Sequence, residues 1–168
     1  MVITKDACDV IPVATVWAAL RAIPDPEIPV ISITDLGIVR DVASTIDGLT
    51  IIVTPTYTGC PATEVIKADI AAAMRTLGAP RIEILIQLTP PWTTDWLTPE
   101  AKAALMRYGI APPDRRGADY VRPLAFKPRC PRCASLNTEQ LSRFGATPCK
   151  SLHRCCECRE PFEYFKPH

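Results

Sequence analysis

Two C-x₂-C pairs near the end of the 168-residue chain constrain its fold more than any other feature. Cys130 and Cys133 form the first pair, Cys155 and Cys158 form the second, and 21 residues lie between them. Each pair presents two thiolates from a tight turn, and two such turns complete a tetrahedral shell of four sulfurs around one metal ion. The sequence therefore predicts a metal-binding Cys₄ ribbon at residues 128–168.

Zinc is the expected ion of this ribbon, because a closed four-sulfur shell is typical of structural zinc sites. A rubredoxin-like iron centre has the same geometry, and the spacing leaves this alternative open. A segment of about forty residues with few large apolar side chains needs the metal for its folding free energy. Cys149 and Cys156 stay without an assigned role.

Proline is the second unevenly distributed residue. The chain has 18 prolines, and eight of them lie between Pro90 and Pro131. They restrict the backbone and predict a stiff connector between a cysteine-poor body and the ribbon. The predicted parts are a body at residues 1–90, a connector with a short helix at 91–127, and the ribbon at 128–168.

The charge distribution argues against a polyanionic partner. Residues 1–127 carry 12 basic and 14 acidic side chains, and residues 128–168 carry seven and four. Neither part has a field that would collect nucleic acid, so we do not expect that partner. No apolar run reaches the length of a membrane span, and we expect no membrane contact. We expect the chain in the cytoplasm, where reducing conditions favour metal-binding cysteines over disulfides.

Hydrophobic periodicity predicts a mixed α/β body of about ninety residues, enough for a modest core. The predicted elements are, in order, a helix at 12–21, strands at 38–46 and 49–54 joined by an Asp-Gly turn, a helix at 61–77, and a strand at 81–88.

The connector contains a predicted helix at Pro99–Tyr108, with Thr98 as its N-cap. Trp92 and Trp96 precede this helix. Large aromatic side chains are usually buried, so core packing is the first interpretation and a partner-binding surface is the second. The charged run at 114–116 is expected to be a solvated linker.

Cys60 is the candidate functional thiol of the body. It directly precedes Pro61 at a helix N-terminus, where free N–H groups and the helix dipole stabilise a thiolate. Gly59 permits the close backbone approach that a bound ligand would need. A small buried cysteine or a helix cap is the alternative interpretation. Asp25 and Glu27 lie in a proline-rich loop. The sequence alone favours a role as turn residues, and the alternatives are metal ligands or contacts with a partner.

Several catalytic signatures are missing from the sequence. There is no Glu-x-x-His motif, so the helix-bundle di-iron carboxylate site of an oxygenase cannot be built here. The glycines form neither a dinucleotide-binding fingerprint nor a P-loop. His153 and His168 do not pair with a nucleophile in a recognisable motif. These residues therefore give little basis for an enzyme that acts on its own.

Three motifs of the body occur together: Asp25–Pro29, Thr34–Val39 and Pro55–Pro61. They resemble the small iron–sulfur assembly domain shared by SufT-type proteins and the cytosolic targeting factors. The later motifs are Trp92–Trp96, Tyr108–Pro112, Phe144–Lys150 and Glu160–Lys166. These resemble the PaaD (PaaJ) family of accessory subunits in the phenylacetyl-CoA epoxidase system, and the tail is the most specific part.

The resemblance implies a fold and a role. The fold is α+β, a small α/β sandwich of the iron–sulfur assembly type followed by a Cys₄ zinc ribbon. The role is that of an accessory subunit in aerobic phenylacetate degradation, which assists the assembly of iron–sulfur or di-iron centres in its partners, the oxygenase and reductase subunits. Cys60 is then a functional thiolate or a transient ligand of iron or an iron–sulfur cluster, with Asp25 and Glu27 beside it. Whether the chain forms a homodimer stays open.

Two positions depart from the family pattern. Ala134 stands where glycine is usual after the first knuckle, and this strains the turn. Pro148 precedes Cys149 where a small residue is expected. The alternatives to an assembly role are a rubredoxin-like electron carrier and a structural adaptor that docks through the ribbon and the two tryptophans, Trp92 and Trp96.

Overall fold

The computed structural model describes residues 10–113 and 127–167 of the chain. Its elements are, in order, α1 (Val13–Arg21), β1 (Val39–Thr45), β2 (Gly48–Val53), α2 (Ala62–Thr76), β3 (Ile82–Ile86), a 3₁₀ turn (Thr94–Trp96), α3 (Pro99–Tyr108), β4 (Ile110–Ala111), β5 (Thr138–Ser142), β6 (Lys150–Cys155) and β7 (Pro161–Phe165). The predicted charged linker at 114–116 lies outside the described residues. Within them, no helix combines the length and the apolar character needed to cross a membrane.

The body is built on a three-stranded sheet in the order β1-β2-β3. Strands β1 and β2 form the predicted antiparallel hairpin, and β2 pairs with β3 in parallel. A parallel pair needs a crossover connection, which α2 supplies. Ile51 of β2, Ile70 and Met74 of α2, and Leu20 of α1 are fully buried, so they form the centre of the core.

The ribbon has a four-stranded sheet in the order β4-β7-β6-β5. Strands β5, β6 and β7 pair antiparallel, whereas β4 pairs with β7 in parallel. Strand β4 follows directly on α3, whose predicted N-cap is confirmed because Thr98 Oγ1 accepts the Ala101 N–H at 3.1 Å. Residues 110 and 111, which lie within the predicted connector, are therefore built into the ribbon sheet.

Trp92 joins the body to the ribbon. Its indole Nε1–H donates to the Leu36 carbonyl at 3.0 Å, and its ring centroid lies 6.0 Å from that of Phe165 on β7. Phe165 and Cys149 belong to the same buried apolar cluster as the core of the body. Core packing is confirmed for Trp92, while Trp96 is half-buried. The predicted division at residues 90 and 127 stays a prediction.

Candidate functional site

The loop between α1 and β1 holds the first predicted carboxyl group. Three prolines restrict its backbone, and the Asp25 side chain closes it, because Oδ1 accepts the N–H groups of Glu27 at 2.9 Å and Ile28 at 2.8 Å. Asp25 is 5% exposed. Burial raises the pKa of its carboxyl despite the two hydrogen bonds, which act in the opposite direction. Asp25 therefore shapes the turn and also borders a cavity.

Cys60 borders the same cavity from the loop between β2 and α2. Its N–H donates to the Tyr57 carbonyl at 3.2 Å, and its carbonyl accepts the Thr63 N–H at 3.1 Å. These bonds hold the half-buried thiol at the first turn of α2. Gly59 has a φ of 82°, and a Cβ added there would meet no atom within 4 Å. The left-handed turn by itself accounts for glycine at this position.

Cys149, the residue before β6, completes the group from the ribbon. It is buried, and its Sγ lies 4.0 Å from Glu27 Oε2 and 3.0 Å from Thr147 Oγ1. Burial raises the pKa of the Cys149 thiol and the pKa of the Glu27 carboxyl. The negative charge of Asp25 raises both pKa values further. Sequence reasoning left Cys149 without a role. The distinctive motif around Cys149 was the one sequence signal that this residue has a role. The motif does not show that the ribbon folds back onto the body.

A small cavity lies between these side chains. Its volume is about 20 Å³, which is enough to hold water. Two thiols, those of Cys60 and Cys149, and two carboxyls, those of Asp25 and Glu27, line it beside apolar side chains. The structure therefore brings together the three site residues predicted in the body and adds a fourth from the ribbon.

Lys150 and Tyr57 complete the electrostatic surroundings of the cavity. Lys150 is buried, and its Nζ binds Glu163 Oε2 at 2.7 Å. Its positive charge lowers the pKa values of the two carboxyls and of Cys149, but burial outweighs this effect. The Tyr57 hydroxyl is buried without a hydrogen bond of ordinary geometry. Burial, followed by the negative charge of Cys60, raises its pKa to about 12. The cavity is therefore desolvated and rich in acidic groups.

The four predicted ribbon ligands Cys130, Cys133, Cys155 and Cys158 converge. Their Sγ atoms all lie within 4.8 Å of one another. The Cys130–Cys158 pair is 3.7 Å apart and the Cys133–Cys155 pair 3.4 Å apart. A tetrahedral zinc ion with Zn–S bonds of about 2.3 Å holds its sulfurs about 3.8 Å apart. The cluster therefore fits a tetrahedral metal ion, and it leaves Cys156 exposed outside it.

Both knuckle turns place a residue other than glycine in the left-handed region. Ala134 follows the first pair with a φ of 61°, and Arg159 follows the second with a φ of 63°. Such a conformation costs an L-residue about 1–2 kcal/mol. The strain predicted at Ala134 is confirmed, and Arg159 repeats it in the second knuckle. Binding of a metal to the four thiolates can offset this cost.

Comparison with known proteins decides the family. Over 151 residues the chain is 53% identical to an Escherichia coli protein described as a candidate D-type subunit of 1,2-phenylacetyl-CoA epoxidase, and the match covers 90% of each chain. The chain belongs to the PaaD family of phenylacetyl-CoA epoxidase subunits. Residues 121–166 of this PaaD family member match the PaaD zinc beta ribbon domain. Residues 13–86 match the family described as iron-sulfur cluster assembly protein. The resemblance drawn from the sequence motifs is confirmed.

The body of this PaaD family member also has relatives of its own. It is 39% identical over 92 residues to the Fe-S protein maturation auxiliary factor YitW of Bacillus subtilis, a match that covers 54% of the chain and 89% of YitW. The crystal structure of a domain of unknown function, DUF59, from Bacillus anthracis aligns with a TM-score of 0.51 at 33% identity, covering 55% of this chain and 89% of that one. The predicted α+β fold with a C-terminal ribbon is confirmed.

Proposed function

We propose that the chain is an accessory subunit of the phenylacetyl-CoA epoxidase system and assists the assembly of iron–sulfur or di-iron centres in its partner subunits. Membership of the PaaD family supports a role in the epoxidase system. The similarity of the body to an Fe-S protein maturation factor supports a role in the assembly of metal centres. The observation that carries the proposal is the cavity in which Cys60 meets carboxyl groups. The oxygenase and reductase subunits are the proposed partners, and the cytoplasm is the proposed location.

Cys60 is the proposed functional thiolate, and Asp25 and Glu27 are the proposed supporting groups. Thiolates and carboxylates are both ligands of iron in proteins. Iron or an iron–sulfur cluster is the cargo in this proposal, so it must arrive and leave. An iron–sulfur cluster takes a shell of about four protein ligands, and a site that offers fewer thiolates leaves positions for a partner protein. Incomplete coordination favours transfer over storage.

The test is to co-express the oxygenase and reductase subunits with the wild-type chain or with Cys60→Ser, and to measure iron and cluster content in the purified partners. We expect lower iron occupancy and lower epoxidase turnover with the variant. Cys156→Ser is the matched control, because Cys156 is exposed and lies outside both cysteine groups. Unchanged occupancy and turnover with Cys60→Ser would contradict the proposed role of this thiol.

We propose zinc as the resident ion of the ribbon, held by Cys130, Cys133, Cys155 and Cys158. The fit of the four sulfurs to a tetrahedral ion supports a metal but not its identity, because a rubredoxin-like iron centre uses the same ligands. Metal analysis of the purified chain distinguishes a zinc site from an iron centre. A colourless protein with one zinc per chain supports the structural role, and a red, redox-active protein supports an electron carrier.

A purely structural adaptor makes opposite predictions for the two cysteine groups. It requires the folded ribbon for docking but gives Cys60 no task. Complex formation would then be lost in Cys130→Ser, while Cys60→Ser would leave both the complex and the iron content of the partners intact. Pull-down of the oxygenase with both variants, read together with iron content, distinguishes the adaptor from the assembly factor.

A further inference from the structure

We propose that the outer edge of β3 and the groove between β3 and α2 form a docking site for an extended acidic segment of an epoxidase partner subunit. The segment adds a fourth strand to the sheet of the body. The identity of the partner rests on the proposed function, whereas the surface rests on the geometry. The residues that line this α2–β3 groove are different from those that line the cavity beside Cys60.

Strand β3 offers an open edge to another strand. In the part of the chain that the structure describes, it lies at the end of the sheet and pairs with β2 alone. The Arg81 carbonyl accepts an N–H of β2, and the Gln87 N–H donates to a carbonyl of β2, each at 2.9 Å. In a parallel pair, every second residue directs both backbone groups to the same neighbour. The N–H and C=O groups of Ile82, Ile84 and Ile86 therefore point away from the sheet.

The side chains of β3 leave this edge without the usual protection. Edge strands are commonly protected by prolines, bulges or inward-pointing charges. Strand β3 has the sequence Ile-Glu-Ile-Leu-Ile, and its register with β2 has no bulge. Leu85 is 43% exposed and Ile86 is 42% exposed. Glu83, the charged residue of the strand, lies on the face opposite to the isoleucines. A regular apolar edge of this kind is suited to strand addition.

A cationic groove borders the same edge. It has a volume of about 530 Å³ and lies between α2 and the apolar side chains of β3. Lys67, Arg75 and Arg81 line it. The Lys67 ammonium is bound to Glu64 at 3.1 Å. Arg75 and Arg81 are exposed, and neither has an ion-pair partner among the described residues. Aspartate or glutamate side chains of an added strand would supply the missing charge.

Charge complementarity favours a partner segment over a second copy of this chain. Lys67 and Arg75 lie eight residues apart on α2 and line the same groove. Pairing of two β3 strands edge to edge would bring the cationic sides of two α2 helices next to each other, and like charges oppose such a contact. An acidic segment meets the same cations with the opposite charge, and its apolar side chains can cover Ile84 and Ile86.

The first experiment measures binding of the purified oxygenase and reductase subunits to the zinc-loaded full chain by isothermal titration calorimetry. We expect at least one subunit to bind, and the double variant Arg75→Glu/Arg81→Glu to bind at least about tenfold more weakly. The matched control is Arg107→Glu/Arg143→Glu, which makes the same change in net charge. Its two arginines are exposed, lie outside the groove and have no ion pair within the described residues.

The control should bind like the wild type. Wild-type affinity of the groove variant, or an equal loss of affinity in the groove variant and the control, would overturn the proposal. Failure of both subunits to bind the wild-type chain would overturn it as well.

The second experiment tests strand addition without a substitution. Residue-resolved hydrogen exchange is measured by nuclear magnetic resonance in the free chain and in the complex. The amides of Ile82, Ile84 and Ile86 should exchange at least about tenfold more slowly in the complex. The amides of Glu83 and Leu85, which face β2, are the internal reference and should change little. Unchanged exchange of the three isoleucine amides would overturn the proposal. Protection that rises with the concentration of the free chain would also overturn it, because a second copy would then cover the edge.

Failure of the docking site and failure of the assembly role give different results. If the wild-type chain raises the iron content of the partners and Arg75→Glu/Arg81→Glu does so equally, with unchanged binding, the assembly role stands and the docking site is wrong. If this variant loses binding while the partners contain the same amount of iron with or without the chain, the docking site stands and the assembly role is wrong.

Discussion

Substitution of Trp92 by phenylalanine should destabilise the contact between body and ribbon. The change removes the indole N–H, which donates to the buried Leu36 carbonyl at 3.0 Å, and shortens the side chain that meets the Phe165 ring. A buried carbonyl that loses its donor costs about 1–3 kcal/mol, and the void left by the smaller ring adds about 1 kcal/mol. The expected loss in free energy of unfolding is therefore about 3 kcal/mol.

Urea unfolding followed by circular dichroism, at a fixed saturating zinc concentration, measures this loss. With a slope of about 2 kcal/mol per molar urea, the midpoint should fall by about 1.5 M. Trp96→Phe is the matched control, because Trp96 is half-buried and has the Arg40 guanidinium 3.4 Å from its ring centroid, a contact that phenylalanine keeps in part. Equal midpoints for the two variants would refute the reasoning that Trp92 is the buried link.

Three further predictions concern the loop, the knuckles and the ribbon metal. Burial raises the pKa of Asp25 above its ordinary value of 3.8. The contribution of Asp25 to the free energy of unfolding is therefore fully present below pH 3.8, and it is lost as pH rises through the folded-state pKa. Asp25→Asn, which keeps the acceptor, should raise the urea midpoint at pH 7, whereas Asp25→Ala, which loses it, should lower it. Ala134→Gly should raise the melting temperature by relieving a φ of 61°, a gain of under about 1 kcal/mol, while Ala103→Gly in α3 should lower it by a similar amount. Removal of the ribbon metal by a chelator should release one ion per chain and unfold β5–β7, seen as a loss of strand signal in circular dichroism; an unchanged spectrum of the metal-free chain would contradict this.

The sequence predicts the elements of the body and the converging knuckle cysteines because both depend on local information. Apolar periodicity identifies α1 and α2, an Asp-Gly pair marks the β1–β2 turn, and C-x₂-C spacing fixes which thiols share a shell. The strain at Ala134 has another source, since it was expected from the resemblance to a family that usually has glycine at this position.

The packing of the ribbon against the body cannot be predicted from local sequence patterns. Strand β4 pairs with β7 across more than fifty residues, and Trp92 meets Phe165 across a longer separation. Such contacts depend on shape complementarity between two surfaces, and neither periodicity nor spacing records it. Cys149 was left without a role for this reason, because its surroundings are made by the body and not by its own motif.

Strand β6 shows why a metal ribbon is useful next to an assembly-type domain. Cys149 precedes the strand and Cys155, a ribbon ligand, ends it, so the two lie about 20 Å apart at a rise of about 3.3 Å per residue. The strand holds Cys149 against the body as long as its far end is anchored, and a ribbon of this size needs metal for that. Loss of the ribbon metal should therefore remove Cys149 from the cavity. Cys60 stays in place, because the α2 turn of the body holds it independently. The two thiols of the cavity thus depend on different folding energies, and only the thiol from the ribbon is tied to metal occupancy.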